Sequence, residues 1–599
     1  MNWITWLGRR DQRLIEHLSG TRGRRVCISP WTSACFAAVV FGLLVALPSA
    51  VIAAPREPTP AERKRIEAAL PQKALVKPQQ PRRLLIYDVN VGYGGHGSIG
   101  TANVAFTLMG KRTGAFETTV SRDPNVFRDE SLRTFDAVFF NNTVGNQFED
   151  PELRRNLVQF VYGGGGLLGV HGTSVAFTRW PGAHEDWAEF GRMLGARGAS
   201  HQAADERILV HLDDRSHPLN RLFGGKDFEY ADEFFRFRNA YSRKRVRVLL
   251  SIDNEQSARL QGVERIKRFR QDDDYALAWV RNYGRGRVFY STIAHNPRVF
   301  WDAKMLTFYL GALQFALGDL PSPTIPSALL TQELRTQEAL GWRLGIEAYT
   351  FHKYTFFEAV DKTAELGLPY IGGLSFQKVS ADIPKRMNLQ LTDADVAAIR
   401  AKLDEAGVRL LTYYIQSIPA DEEECRKVFE FGRKLGIETF MSEPAVEALD
   451  TIERFCDLYD IKVGLHNHGP KQSPVYGRPE GVLEACKGRS KRLGACADLG
   501  YWMRAGIDPI AGLRLLKDRL ITLQMHDLHK LSPEGHDVPW GRGAGRSEEV
   551  FREIHRLGIR PVMFGLEFSY DWLDSMPEAR DCVRFFNAIT TDLAGGGKQ

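Results

Sequence analysis

The sequence predicts an α/β protein with two domains, a doubly wound domain over residues 82–320 and a (β/α)8 barrel over residues 342–592. In the C-terminal part, eight short apolar runs alternate with amphipathic segments, which is the pattern of βαβ units and a parallel sheet. A second alternation of this kind covers the first domain. Between the two, residues 321–341 begin with several prolines and are typical of a linker. The two domains are therefore expected to fold separately.

The composition is that of an ordinary globular protein, with 599 residues, 43% hydrophobic and 25% charged, and a net charge of +6. No lysine- and arginine-rich run with interleaved aromatic residues stands out in the globular part, so a nucleic-acid partner is not indicated. The seven cysteines form no C-x-x-C pair and do not suggest a disulfide framework.

Residues 1–54 are predicted to be an export signal or an uncleaved N-terminal anchor. A basic stretch precedes an apolar run from about Ala34 to Ala54, and Val51-Ile52-Ala53 is a small-residue cleavage pattern. We favour cleavage, which predicts a periplasmic or extracellular protein that contacts a membrane only if the segment is retained. The proline-rich, charged residues 55–81 predict a linker with one short helix at Ala61–Ala69.

Apolar runs and glycine-rich turns alternate through the first domain, which predicts a largely parallel sheet. Two helices are expected at Ser98–Leu108 and Leu153–Tyr162. A glycine-rich loop at 92–97 precedes the first of them, but it lacks the spacing of a dinucleotide-binding fingerprint. The predicted strands are Arg83–Val89, Phe135–Asn141, Leu167–Val170, Ile208–Leu212, Val246–Leu250, Ala276–Arg281 and Val288–Ile293.

Six motifs of this domain together resemble the ThuA (trehalose utilisation) family, whose fold is similar to that of the class I glutamine amidotransferases. They are VGYGGH at 91–96, FDAVFFNNT at 135–143, GGGLLGVHG at 164–172, HPL at 217–219, DEFF at 232–235 and YGRGRVFYSTIAHN at 283–296. In the amidotransferases, the elbow after the glycine run presents a nucleophilic cysteine. This chain has His171 there and no cysteine anywhere in the domain, which excludes thiolate chemistry in this domain.

The candidate site of this domain combines His171 and Glu233 with His96 and His295. His171 and Glu233 could form a catalytic acid/base pair or bind a metal, and the other two histidines are expected to bind substrate. Alternatively, His96 and His295 are turn residues that satisfy backbone groups. Three further histidines are interpreted as surface or capping residues: His184, His201 and His217.

Polar residues follow the barrel strands where each strand ends. They include Glu443, His466, Asp498, His526 and Glu567. The C-terminal ends of barrel strands open on one face, so these side chains should converge there. Carboxylates with imidazoles suit one divalent ion, Mn²⁺, Zn²⁺, Co²⁺ or Mg²⁺.

The predicted strands are Leu344–Tyr349, Tyr370–Ser375, Arg409–Tyr414, Ile437–Ser442, Lys462–Leu465, Leu493–Ala497, Ile521–Met525 and Pro561–Leu566. The predicted helices are Thr355–Leu366, Asp393–Ala406, Asp421–Leu435, Ala445–Tyr459, Glu548–Leu557 and Glu578–Ile589.

The barrel resembles the sugar phosphate isomerase/epimerase superfamily, also called xylose isomerase-like barrels. The motifs are HNH at 466–468, DLGYWMRAG at 498–506, MHDLH at 525–529, WGRGAG at 540–545 and GLEFS at 565–569. The resemblance implies one ion bound by Asp498, His526 and Glu567. Glu443 is expected as the fourth ligand, because His466 stands where the epimerase branch has glutamate. We further expect catalytic roles for Glu443, Glu567, His466 and His468, and substrate contacts for Tyr501, which stands where the family often has histidine, and for Lys530.

Both resemblances imply chemistry on small carbohydrates. The expected activity is that of a metal-dependent isomerase, epimerase or lyase that removes a proton next to a carbonyl of a sugar or keto-sugar. Export favours a substrate without phosphate. The alternative is a carbohydrate-binding or scaffold protein without catalysis. A third hypothesis, a phosphodiesterase like the barrel-type abasic-site endonucleases, would need a multi-metal cluster richer in histidine.

Overall fold

The computed structural model describes residues 55–179, 184–238 and 240–595. The predicted signal or anchor, residues 1–54, lies outside these ranges. Within them, no helix combines the length and the apolar composition needed to span a bilayer.

The first domain is built on a nine-stranded mixed sheet of order β2-β1-β3-β4-β13-β12-β11-β8-β9. The α/β prediction is confirmed, but a largely parallel sheet is found only from β2 to β13. The other strands are antiparallel. Only two residues separate β12 from β13, which a hairpin can bridge and a parallel crossover cannot. The strands of this domain are β1 (Arg83–Tyr87), β2 (Glu117–Ser121), β3 (Ala137–Asn141), β4 (Gly166–Val170), β5 (Thr178–Arg179), β6 (His184–Glu185), β7 (Arg197–Ser200), β8 (Glu206–Leu212), β9 (Phe228–Asp232), β10 (Arg236–Arg238), β11 (Arg247–Asp253), β12 (Ala276–Tyr283) and β13 (Gly286–Ser291).

Apolar cores cover both faces of this sheet. Leu84 and Ile86 of β1 pack into one core, and Leu85 and Tyr87 pack into the other. A strand that is buried on both faces is a continuous apolar run in the sequence, and β1 was predictable for this reason. The helices are α1 (Pro60–Ala69), α2 (Ile99–Thr113), α3 (Asp129–Leu132), α4 (Pro151–Tyr162), α5 (Ala188–Leu194), α6 (Asn254–Gln261) and α7 (Ala303–Leu317).

Both stretches predicted as linkers contain a packed helix. In residues 55–81, helix α1 begins with a capping box and buries Ile66 in the core of the first domain. In residues 321–341, helix α8 (Gln332–Leu340) buries Leu334, and the Gln337 side chain donates to Asn587 Oδ1 at 2.9 Å. These segments are therefore parts of the folded body.

The second domain is a closed barrel of eight parallel strands, which confirms the predicted (β/α)8 architecture. Its core is one continuous apolar cluster between the strands and the surrounding helices. The strands are β14 (Leu344–Glu347), β15 (Tyr370–Leu374), β16 (Arg409–Tyr414), β17 (Thr439–Ser442), β18 (Lys462–His466), β19 (Leu493–Asp498), β20 (Leu520–Met525) and β21 (Phe564–Leu566). Its helices are α9 (Phe356–Glu365), α10 (Asp393–Ala406), α11 (Glu422–Leu435), α12 (Leu449–Tyr459), α13 (Pro479–Ala485), α14 (Leu499–Arg504), α15 (Pro509–Leu516), α16 (Ser547–Arg556) and α17 (Met576–Gly595).

The two domains meet at the N-terminal ends of their strands. Arg285, just before β13, donates to the Asp460 carbonyl just before β18 at 2.8 Å. Arg409, the first residue of β16, donates to the Gly284 carbonyl at 3.2 Å. An arginine-rich cavity of about 780 Å³ lies beside these contacts. The C-terminal ends of the barrel strands and of β4 and β13 in the first domain therefore face away from the interface, whereas the antiparallel β12 ends at it.

Candidate functional site

Three predicted ligands converge at the C-terminal end of the barrel. Asp498 ends β19, His526 follows β20 and Glu567 follows β21. One ligand atom from each lies within 4.8 Å of the others, and all three residues are buried. Adjacent parallel strands place the residues that follow them at the same edge, so the fold itself assembles this group.

The His526 ring is oriented for a cation. Its Nδ1 lies 2.7 Å from Asp537 Oδ1, while its buried Nε2 has no hydrogen-bond partner and lies 3.6 Å from Asp498 Oδ1. Burial opposes protonation, but the charges of Asp537 and Asp498 outweigh it and raise the pKa of His526. Buried polar atoms are rarely left unpaired. An unpartnered imidazole nitrogen beside two carboxylates therefore fits a divalent metal ion, which would be held by Asp498, His526 and Glu567.

Glu443 does not join this group, contrary to the prediction. Its Oε1 lies 3.0 Å from Nδ1 of His466 and also accepts a hydrogen bond from His468 Nδ1. Burial tends to raise the pKa of Glu443, but these hydrogen bonds outweigh it and hold the pKa at about 2. His466 stands between the two groups, with Nε2 3.8 Å from Asp498 Oδ2. His466 thus bridges the two groups, and its contact with Glu443 at Nδ1 turns Nε2 towards Asp498.

A pocket of about 200 Å³ opens beside these residues and is called the barrel pocket below. Tyr501 lines it, with its ring 4.9 Å from that of His468. Lys530, the other predicted substrate contact, is exposed, pairs with Glu534 at the surface and does not line the barrel pocket. The residues that line the barrel pocket are Tyr349, Leu374, Phe376, Tyr414, Gln416, His466, His468, Asp498, Tyr501, Gln524 and Glu567.

Two buried carboxyl groups at the barrel centre have raised pKa values. Burial raises the pKa of Glu567 to about 7, and burial with the charge of Glu567 raises the pKa of Glu347 to about 8. Gln524 Nε2 donates to Glu567 Oε2 at 2.9 Å, and the Thr412 hydroxyl donates to Glu347 Oε1 at 3.2 Å. Sequence reasoning missed Glu347 because the predicted first strand ran past it, although it is the last residue of β14.

The motifs MHDLH and WGRGAG are joined by a single carboxylate. Asp527 accepts hydrogen bonds from the backbone of Gly541 at 2.9 Å and Gly545 at 2.8 Å, and from the Ser547 hydroxyl at 2.9 Å. These bonds fold the loop that carries Asp537. The two motifs therefore support the site from behind, and sequence reasoning missed Asp537 because it lies between them without a pattern of its own.

The four predicted residues of the first domain also converge. His171 Nε2 and His295 Nδ1 each lie 3.3 Å from Glu233 Oε1, and His96 completes a group whose ligand atoms lie within 4.8 Å of one another. His201, interpreted above as a surface or capping residue, contacts Glu233 Oε2 through Nδ1 at 3.2 Å. Burial tends to raise the pKa of Glu233, but the adjacent rings of His171, His201 and His295 outweigh it and hold the pKa far below its usual range.

Two protein-family models match the chain. The model described as trehalose utilisation, ThuA, matches residues 83–316, and the one described as a xylose isomerase-like TIM barrel matches residues 360–589. The chain is a ThuA domain followed by a xylose isomerase-like TIM barrel. Both resemblances drawn from the sequence motifs are thereby confirmed.

Solved structures similar to this chain each cover about two fifths of it. An uncharacterised protein from Parabacteroides distasonis is 32% identical, with 41% of this chain and 98% of that chain covered and a TM-score of 0.35. A ThuA-like protein from Bacteroides uniformis is 20% identical, with 40% and 93% covered and a TM-score of 0.33. A sugar phosphate isomerase/epimerase from Parabacteroides distasonis is 14% identical, with 41% and 94% covered and a TM-score of 0.33. No curated protein matches the chain.

Proposed function

We propose that the barrel is a divalent-metal-dependent carbohydrate isomerase, epimerase or lyase that abstracts a proton next to a carbonyl. The observation that carries this proposal is the convergence of Asp498, His526 and Glu567 around the unpartnered Nε2 of His526, with His466 beside them. Family membership supports the same chemistry, because the barrel matches the xylose isomerase-like model. When bound, a divalent ion supplies Lewis acidity to a carbonyl and its neighbouring hydroxyl.

Two groups of the chain are placed to move protons at the barrel pocket. His468 donates from Nδ1 to Glu443, which leaves Nε2 as a free base on a residue that lines the pocket. Glu567 lines the same pocket, and the hydrogen bond from Gln524 to its Oε2 fixes this carboxylate beside the substrate space as the second proton-transfer group. A base can remove the proton next to the carbonyl, and an acid can return a proton to the same carbon or to its neighbour, which gives epimerisation or isomerisation. Expulsion of a leaving group after proton removal would instead give a lyase.

The lining of the barrel pocket supports a small substrate without phosphate. Its volume of about 200 Å³ is below the roughly 300–1,000 Å³ of pockets for drug-sized ligands. Among the described residues that line it there is no lysine or arginine, so no cation is in place for a phosphate. We therefore infer a monosaccharide-sized sugar or keto-sugar. The N-terminal sequence supports export, and outside the cytosol unphosphorylated sugars are the expected substrates.

A panel of oxidised and unoxidised mono- and disaccharides, incubated with the Mn²⁺-loaded protein in D₂O, tests this function. We expect deuterium to enter one substrate at a carbon next to its carbonyl. Asp498→Ala should abolish both exchange and metal binding. The matched control, Asp518→Ala, removes an exposed carboxylate of the same barrel and should change neither.

Two results would contradict the proposal. Full metal content in both Asp498→Ala and His526→Ala would remove the site as described. Binding of a sugar by the metal-loaded protein, with no exchange or conversion anywhere in the panel, would support the carbohydrate-binding alternative.

A further inference from the structure

We propose that the ThuA domain carries a second metal centre, formed by His96, His171, Glu233 and His295. These four residues are called the ThuA cluster below. Their ligand atoms lie within 4.8 Å of one another, although the residues come from four separate segments of the chain. The centre is independent of the barrel site, because the two lie at opposite ends of the molecule.

The geometry of His171 is the first argument. Its Nδ1 donates to the Thr292 carbonyl at 3.0 Å, so the lone pair of the neutral ring is on Nε2. That Nε2 lies 3.3 Å from Glu233 Oε1 and 3.3 Å from His295 Nδ1. The residue is fully buried and held at φ 41°, a left-handed conformation that is uncommon for a non-glycine residue. The fold therefore holds this lone pair firmly against other acceptor atoms.

The surroundings of the other members point the same way. The Nδ1 atom of His96 is buried without a hydrogen-bond partner, and its ring centre lies 4.8 Å from that of His171. The backbone N–H groups of His295 and Asn296 donate to the buried Asp232 at 3.1 and 3.0 Å, which fixes the loop carrying His295. The lone pairs of the imidazole nitrogens and of the Glu233 carboxylate converge here, and a cation between them would offset their repulsion. The hydrogen bonds that hold the His171 ring and the His295 loop are typical of the supports of metal ligands.

The donor set indicates the class of ion. Three imidazoles and one carboxylate suit Zn²⁺, Co²⁺, Ni²⁺ or Fe²⁺, whereas Mg²⁺ and Ca²⁺ prefer an all-oxygen set. His201 lies on the solvent side of Glu233, with 45% of its side chain exposed. This leaves an approach to the ion from solvent, as in catalytic rather than purely structural metal sites.

Metal stoichiometry of the full-length protein tests the proposal. The chain is stripped with a chelator, reloaded with Zn²⁺ and analysed for bound metal per chain. We expect His295→Ala and Glu233→Gln each to lose one equivalent relative to the wild type. The matched control, His211→Ala, removes a histidine of the same domain that pairs with Asp227 outside the cluster, and it should lose none. Metal retained in the barrel shows that the chain is still folded.

A second measurement does not depend on the folding of ThuA variants. In an Asp498→Ala/His466→Ala background, which removes a ligand from both barrel groups, Co²⁺ loading should still give visible absorption bands from the ThuA cluster. Absence of these bands, or wild-type metal content in a His295→Ala/Glu233→Gln double variant, would overturn the proposal. An equal loss of metal in His211→Ala would overturn it as well.

Discussion

At the scale of single residues, the Asp537–His526 pair orients one ligand of the proposed metal site of the barrel. The 2.7 Å hydrogen bond at Nδ1 keeps the ring in one tautomer and turns Nε2 towards Asp498. Asp537→Asn keeps the size of the side chain but removes the charge. We expect metal affinity to fall by roughly 10–100-fold with the fold intact, measured by competition with a chelating dye.

The control for this change is Glu534→Gln, which alters an exposed carboxyl group of the same loop. It should leave metal affinity unchanged. Equal affinity in Asp537→Asn and wild type would show that His526 does not depend on Asp537 for its orientation.

His468 separates catalysis from metal binding. Its ring lines the barrel pocket but belongs to the group with Glu443, apart from Asp498, His526 and Glu567. We expect His468→Gln to lower kcat by about 10²–10⁴-fold, as for a lost general acid/base, while the metal content stays at the wild-type level. Steady-state kinetics and elemental analysis of the same preparation check both parts. Loss of metal in this variant would instead identify His468 as a ligand.

The sequence predicted those site residues that stand directly after a barrel strand, such as Asp498, His526 and Glu567. Strand order alone brings such residues together. It did not predict which of two neighbouring groups Glu443 would join, because this depends on side-chain hydrogen bonds. Asp537 and His201 lie in loops, and no periodic sequence pattern predicts the conformation of a loop.

At the scale of elements, the segment between the domains depends on the protonation state of one histidine. His217 Nε2 donates to the Pro323 carbonyl at 3.1 Å, and its Nδ1 accepts from the Leu219 N–H at 3.3 Å. The second bond requires the neutral ring, because a protonated Nδ1 cannot accept a hydrogen bond. Burial lowers the pKa of His217 from the ordinary 6.5 to about 4, despite the bond to Pro323.

The pH dependence of stability follows from this shift. The folded chain binds the proton less readily than the unfolded chain, so the contribution is complete above pH 6.5 and is lost as the pH falls towards 4. It amounts to roughly 3 kcal/mol at most. In His217→Gln, we expect the melting temperature to depend less on pH between 4 and 6.5 than in the wild type. Parallel profiles for the two proteins would exclude His217 as the titrating group.

Elements with a clear apolar pattern or clear capping residues were predictable from the sequence, whereas an exposed edge strand and the directions of several strands were not. The prediction for α10, Asp393–Ala406, agrees with the structure at both ends, because Thr392 caps its start and Gly407 its end. The edge strand β2 was missed because its polar residues form no apolar run. The antiparallel direction of β8, β9, β11 and β12 depends on pairing between distant segments, which a single sequence does not display.

At the scale of the whole molecule, the interface couples the two domains that the linker pattern predicted to fold separately. Arg285 donates to the carbonyls of Asp460 at 2.8 Å and Tyr459 at 3.2 Å. Arg285→Ala removes two hydrogen bonds from a charged donor at the interface and should cost about 1–3 kcal/mol. In calorimetry we expect one cooperative transition of the wild type to separate into two. Arg265→Ala, an exposed arginine of the ThuA domain, is the control. An unchanged single transition in Arg285→Ala would show that the coupling does not depend on these bonds, and two transitions in the wild type would show that the domains unfold independently.

The docking of the domains through the N-terminal ends of their strands also limits how they can cooperate. Both candidate sites lie at strand ends away from the interface, and the lining of the cavity between the domains includes no residue of either site. A compound passed from one site to the other would have to leave into the medium and diffuse around the molecule. Such an intermediate has to survive in water, and molecules that compete for it can capture it on the way. The fusion would then keep the two sites in equal numbers at one place, rather than provide a channel between them.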